Sequence, residues 1–174
     1  MQRIVILGKP GVGKTTLVKT VIESFPGCFR GFYTEEIREG RERVGFRIKT
    51  LSGKEGILAK RDQPSPFRIG RYGVLLQDLE TMGIPEIEDA IRGKSPLLLD
   101  EVGKMEFCSF RFRQALFQAW DVVPLLLVTS CFPPLPEFRD LLESEAVKKF
   151  VLDRENRNRL GREIVSLVQV LLEF

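Results

Sequence analysis

The segment Gly8-Lys9-Pro10-Gly11-Val12-Gly13-Lys14-Thr15-Thr16 has the spacing G-x-x-x-x-G-K-[ST], which has a definite chemical use. Glycines at those positions let the backbone curl so that successive N–H groups point inward, toward phosphate oxygens. Lys14 can reach β- and γ-phosphates as a point charge on a flexible stem, and the Thr15 hydroxyl can ligate Mg²⁺. A second candidate pair, Asp100-Glu101, ends the apolar run Leu97-Leu98-Leu99. Asp100 suits the same Mg²⁺, directly or through its water shell. Glu101 suits orienting and polarising a water for in-line attack on a γ-phosphorus. The expected nucleotide contacts are Gly8, Lys9, Pro10, Gly11, Val12, Gly13, Lys14, Thr15 and Thr16. Lys14 and Glu101 are the expected catalytic residues, and Thr15 and Asp100 the expected metal ligands.

A transferring phosphoryl group calls for further cations. Candidates are Lys9, Arg41, Arg43, Arg68, Arg71, Lys104 and the cluster Arg154, Arg157 and Arg159. Lys104 gains weight by following the acid pair directly. Arg157 is the expected base contact, because a guanidinium plane accepts any stacked π-face. Asp100-Glu101-Val102-Gly103 also fits D-x-x-G, as in small regulatory GTPases, but no N-K-x-D segment is present to read guanine. The Gly103 match is therefore weak. The chain has no His, so imidazole catalysis and His-ligated zinc are excluded, and any general base must be Asp, Glu or Lys. Cys28, Cys108 and Cys131 are odd in number and far apart, which indicates neither a disulfide framework nor a CxxC metal site.

These residues need strands and helices to hold them. Ile4 to Leu7 and Leu97 to Leu99 are apolar throughout, as is Val122 to Val128, which ends in Thr129-Ser130; such runs suit strands buried on both faces. Leu17, Val18, Val21, Ile22 and Phe25 recur at helical spacing until Pro26-Gly27. Between them, Phe29 to Ile37, Val44 to Leu51 and Gly56 to Leu58 read as strands joined by short turns. That predicts an antiparallel meander inserted over residues 28–60. A loop with Pro64, Pro66 and Gly70 precedes a short strand near Tyr72 to Leu76, then a helical region to Arg92 interrupted near Gly83 and Pro85. Ser109 can cap a helix carrying Phe112, Ala115, Leu116, Ala119 and Trp120. A helix from about Glu137, a strand over Lys149 to Leu152 and a helix through Leu160, Ile164 and Leu171 complete the chain. The fold class is α/β, with a mostly parallel central sheet and helices on both faces, a three-layer sandwich. Ligands of such sheets sit beyond the carboxyl ends of the strands, which would bring Asp100 and Glu101 beside Lys14 and Thr15.

At 174 residues the chain is expected to form one domain over 1–174. Apolar residues at 43% and charged residues at 29% are ordinary for a soluble globular protein. A net charge of +3 is too small to argue for nucleic acid, which is not expected as a partner. No apolar run approaches the ~18 residues of a membrane span, and no signal peptide is visible. A cytoplasmic monomer without membrane contacts is expected.

The segments GKPGVGKTTLV, GFYTEEIREGRERVGFRI, GRYGV, LLLDEVGKME and DREN occur in that order. Together they resemble the small P-loop nucleoside-triphosphatase family of thermophiles, relatives of human cancer-related nucleoside-triphosphatase. The resemblance spans about residues 8–158. It implies a P-loop fold and Mg²⁺-dependent hydrolysis of ATP, GTP, CTP and UTP with poor discrimination among bases. It also implies that Glu101 is catalytic and that the strand after the acid strand inserts between it and the loop strand. That order would bring Thr129 or Ser130 near the γ-phosphate as a polar sensor. Where the family is expected to have Thr-Val-His, this chain has Thr129-Ser130-Cys131. The competing readings are a small nucleotide or nucleoside kinase, with 61–71 as its basic lid, and a nucleotide-gated binding module.

Overall fold

The structure, a computed structural model, describes residues 1–173. Its strands are β1 (Gln2–Gly8), β2 (Arg30–Glu39), β3 (Glu42–Thr50), β4 (Glu55–Arg61), β5 (Arg68–Ile69), β6 (Tyr72–Val74), β7 (Leu97–Val102), β8 (Leu125–Ser130) and β9 (Val147–Leu152). The helices are α1 (Lys14–Ser24), α2 (Leu76–Asp78), α3 (Ile84–Gly93), α4 (Phe110–Val122), α5 (Pro136–Leu142) and α6 (Arg157–Leu172). All nine strands among the described residues join one sheet in the order β5-β6-β4-β3-β2-β7-β8-β1-β9. From β2 through β9 the neighbours run parallel, and from β2 outward to β5 they run antiparallel.

The apolar runs explain the parallel half. Along β1, Ile4 and Ile6 face one core, shared with Leu17, Val18 and Val21 of α1 and with Ile164 and Val168 of α6. Val5 and Leu7 face the other, shared with Ile87 and Ala90 of α3 and with Phe112, Leu116 and Ala119 of α4. Leu98 and its neighbours Leu97 and Leu99 divide in the same way. Each central strand is thus covered on both faces, which is what an uninterrupted apolar run requires.

β8 lies between β7 and β1, in the order expected from the resemblance. Its start differs from the sequence reading. Val122 is the last residue of α4, whose C-terminal N–H, from Val123, bonds Ala119. Pro124 has no N–H to continue the helix, and the strand begins at Leu125. Antiparallel structure also extends past residue 60. β6 pairs with β4 and β5 with β6, so the expected proline loop contains a strand at Arg68–Ile69. β2 is more than part of an insert, because Arg30 to Tyr33 pair in parallel with Leu97 to Asp100. The helical region does not break at Gly83 and Pro85. A π-turn over Leu79–Gly83 runs directly into α3, with the Ile84 N–H bonded back to the Leu79 carbonyl, and Pro85, which has no N–H to give to that ladder, follows at once.

Candidate active site

The loop after β1 folds around positive-φ glycines, Gly11 at 77° and Gly13 at 111°, a conformation closed to residues with a Cβ except at a cost. α1 starts at Lys14 with no side-chain cap and no acid in its first turn. Its first N–H groups therefore face the loop without a side-chain acceptor, and the helix dipole favours an anion there. Lys14 is buried. Its Nζ donates to the carbonyls of Gly8 at 2.8 Å and Lys9 at 3.3 Å, and pairs with Glu101 Oε2 at 3.3 Å.

Thr15 and Asp100 meet as well. The Thr15 hydroxyl donates to Asp100 Oδ2 at 2.8 Å, and the Thr129 hydroxyl donates to Oδ1 at 2.5 Å. Asp100 is 1% exposed. Burial raises its pKa to about 6 against the opposing hydrogen bonds from Thr129 and Thr15. Among the described residues no cluster of three or more His, Cys, Asp or Glu side chains could hold a metal alone. One carboxylate and one hydroxyl are hard oxygen donors that suit a cation completing its shell with phosphate oxygens and water. The residues present fit such an ion.

Glu101 is half-buried, with 32% of its side chain exposed. The turn after β7 brings a third carboxyl to it. A Cβ on Gly103 would lie 2.8 Å from Glu101 Oε1 and 3.1 Å from Glu106 Oε2, so a larger residue there would push one carboxylate end aside. Glu106 is 4% exposed and accepts the Gly103 N–H at 3.1 Å. Burial, with the Glu101 charge adding to it, pushes its pKa up to about 8. The sequence reading missed Glu106. The available signal was a third acid within seven residues, but apolar periodicity says nothing about the burial of one carboxyl in a turn.

The Glu106 shift has a stability consequence. The folded state keeps a proton that the unfolded chain releases near 4.5, so this contribution is full below that value and is lost as pH rises through about 8. Asp100 acts in the same direction, with its loss near pH 6. Glu106→Gln keeps the size and cannot ionise. It should flatten the alkaline fall in Tm measured between about pH 6 and 9. A wild-type slope in the variant would show that Glu106 does not hold its proton.

The other expected residues are distributed as follows. Lys14, Thr15, Thr16, Pro10, Gly11, Gly13 and Glu101 line a cavity of about 800 Å³, together with Lys19, Arg43, Lys104 and Glu106. Val12 packs into the core between the sheet and α1, and Gly8 lies in β1, so these contribute backbone to the loop. Lys9 is exposed outside the cavity lining, with its carbonyl on Lys14. Arg157, at the start of α6 and outside the cavity lining, places its Cδ 3.7 Å from where a Cβ on Gly13 would lie. Of the remaining basic candidates, Arg159 pairs with Glu163 on α6, and Arg41, Arg68, Arg71 and Arg154 lie outside the cavity lining. Thr129 and Ser130, the expected polar sensors, bond to the neighbouring strand. Thr129 donates to Asp100 and Ser130 to the Val102 carbonyl at 2.6 Å, so the strand end spends both hydroxyls on β7. Cys131 lines the cavity instead. Segment 61–71 ends in the β5–β6 pair at the sheet edge.

A parallel sheet with a glycine loop leading into a helix, and a buried Asp on a strand two positions away, defines a P-loop α/β protein. A sequence model described as NTPase matches residues 3–165, and the chain belongs to that family. It is 42% identical over 168 residues to nucleoside-triphosphatase THEP1 of Thermotoga maritima, covering 97% of this chain and 96% of the relative. The crystal structure of THEP1 from Aquifex aeolicus superposes with a TM-score of 0.87 at 35% identity, covering 95% of this chain and 98% of that one. The solution structure of a human cancer-related nucleoside triphosphatase superposes with a TM-score of 0.82 at 36% identity, covering 98% of each chain. No helix among the described residues is long and apolar enough to cross a membrane.

Proposed function

We propose that the chain, as one domain over 1–174, hydrolyses nucleoside triphosphates to the diphosphate and phosphate, with Mg²⁺ as its cofactor. The observation that carries this reading is that Lys14, Thr15 and Glu101 line one cavity, with the buried Asp100 bonded to Thr15 behind them. The loop N–H groups and Lys14 bind the phosphates, and Thr15 with Asp100 would hold the metal. When bound, the cation neutralises charge on the β- and γ-oxygens. Lys14 must leave the Gly8 carbonyl and Glu101 to reach those oxygens, which frees the Glu101 carboxylate at the moment the nucleotide arrives. Glu101 then accepts a proton from a water whose oxygen attacks the γ-phosphorus. The bond to the β-phosphate oxygen breaks, and the diphosphate departs with the electron pair.

The base is read loosely in this proposal. The cation assigned to the base is Arg157, beside Gly13 of the loop, and stacking on a guanidinium discriminates little. Phosphate release should show specificity constants for ATP, GTP, CTP and UTP within about tenfold of one another, ~1.4 kcal/mol of discrimination. No release from any of the four would overturn the hydrolase reading, and a thousandfold preference would place a base-reading pocket elsewhere.

A further inference from the structure

β2 pairs with β7 only as far as Tyr33, opposite Asp100, and then runs on to Glu39 paired with β3 alone. Thr34 to Glu39 make about 20 Å of strand, which carries the β2–β3 hairpin past the carboxyl end of β7. Glu36, Arg38, Arg43 and Phe46 of this hairpin line the same cavity as Lys14 and Glu101. The sheet order sets which end of a nucleotide they meet. With the base on Arg157, just after β9, the triphosphate runs along the loop toward β7, and β2 and β3 lie beyond β7. The hairpin therefore faces the γ-phosphoryl end.

We infer that Arg43 is a further catalytic residue, whose free guanidinium edge binds the γ-phosphoryl oxygens and stabilises their charge during transfer to water. This rests on the hydrolase reading and on the roles given above to Lys14 and Glu101. Arg43 Nε donates to the Tyr72 hydroxyl at 2.9 Å, and that hydroxyl donates back to the Arg43 carbonyl at 3.2 Å. Nη1 donates to Glu36 Oε1 at 3.0 Å. The guanidinium carbon lies 5.0 Å from the centre of the Phe46 ring and 5.4 Å from that of Tyr72. Nη2 donates to nothing among the described residues. A half-exposed arginine ordinarily keeps many rotamers, whereas this one is held on three sides with one nitrogen to spare. Charge is left over as well, because Glu36 also accepts from Arg38 Nε at 2.9 Å, so one carboxylate answers two guanidiniums. The other cations on the wall are less suited. Lys19 is paired with Glu35, and the Lys104 ammonium has no partner among the described residues to fix its position. A planar fork fixed in advance needs no reordering as charge develops on the equatorial oxygens.

The test compares the intact protein with Arg43→Ala and with Arg43→Gln, which keeps an N–H donor for Tyr72 or Glu36 without the charge. Phosphate release at saturating Mg²⁺ and ATP should fall about 10²-fold in both variants, as for the loss of one fixed donor to a developing anion. Equilibrium binding of labelled ATP and ADP gives a readout independent of turnover. ATP affinity should fall about tenfold, as for one charged hydrogen bond. ADP affinity should stay within about twofold, since ADP has no γ-phosphate to lose that contact. Release at the wild-type rate in either variant overturns the assignment and leaves hydrolysis standing. An equal loss of ATP and ADP affinity also overturns it, because Arg43 would then only brace the hairpin. If the unsubstituted protein releases no phosphate, the hydrolase reading fails. A selective loss of ATP affinity in the variants would still support Arg43 at the γ end, and unchanged ATP affinity would overturn it.

Discussion

Glu101→Gln should slow phosphate release by roughly 10²- to 10⁴-fold, the usual range for removing a general base, while the nucleotide stays bound. The substitution keeps the size and most hydrogen bonding of the side chain but takes away its proton acceptance and charge. Lys14 loses its ion pair with Oε2 yet keeps the Gly8 and Lys9 carbonyls, so the loop retains its cation. Thr15 and Asp100 remain bonded to each other. Removing a negative charge from the edge of a phosphate site should leave triphosphate affinity equal or greater. The variant should therefore accumulate with triphosphate bound. Single-turnover phosphate release, measured beside equilibrium binding of a labelled nucleotide, separates the outcomes. Unchanged release would remove Glu101 from the chemistry, and a parallel loss of binding would make it structural.

Lys14→Ala should lose both functions. The side chain is buried with its ammonium beside two carbonyls and one carboxylate, which it would exchange for β- and γ-oxygens. Without it the phosphates meet the Glu101 charge uncompensated. Binding should weaken about 10- to 100-fold, as expected for one charged hydrogen-bonding partner. Turnover should fall by about 10³-fold, since the missing cation also served the transition state. Binding by calorimetry and release at saturating nucleotide measure the two effects separately. Full activity in this variant would end the phosphate-loop reading.

What could be read in advance depended on whether burial leaves a local pattern. Ile4 to Leu7 and Leu97 to Leu99 sit on both cores, and uninterrupted apolar runs announce such strands. The loop was legible because its glycines, Lys14 and Thr15 are fixed by phosphate chemistry within one short segment. Asp100 and Glu101 followed from standing at the end of such a run. Glu106 was not legible, since its burial comes from a turn closing over Gly103. β5 was missed because two residues of strand leave no alternation. The strand end carrying Thr129 and Ser130 was legible, but the protein partners of their hydroxyls were not. Pairing across β7 and β8 decides that, and no local pattern reports it.

The position of β1 constrains how this molecule is made. The strand emerges first, yet its two neighbours are β8 and β9, residues 125–152 of the same chain. Every backbone pairing that holds the start of the glycine loop thus closes over more than half the sequence, and such long closures come late. During synthesis the segment carrying Lys14 waits without a sheet to join until the last strands leave the ribosome. A nucleotide cannot template the early stages of folding here, because the grip on its phosphates is among the last features to form.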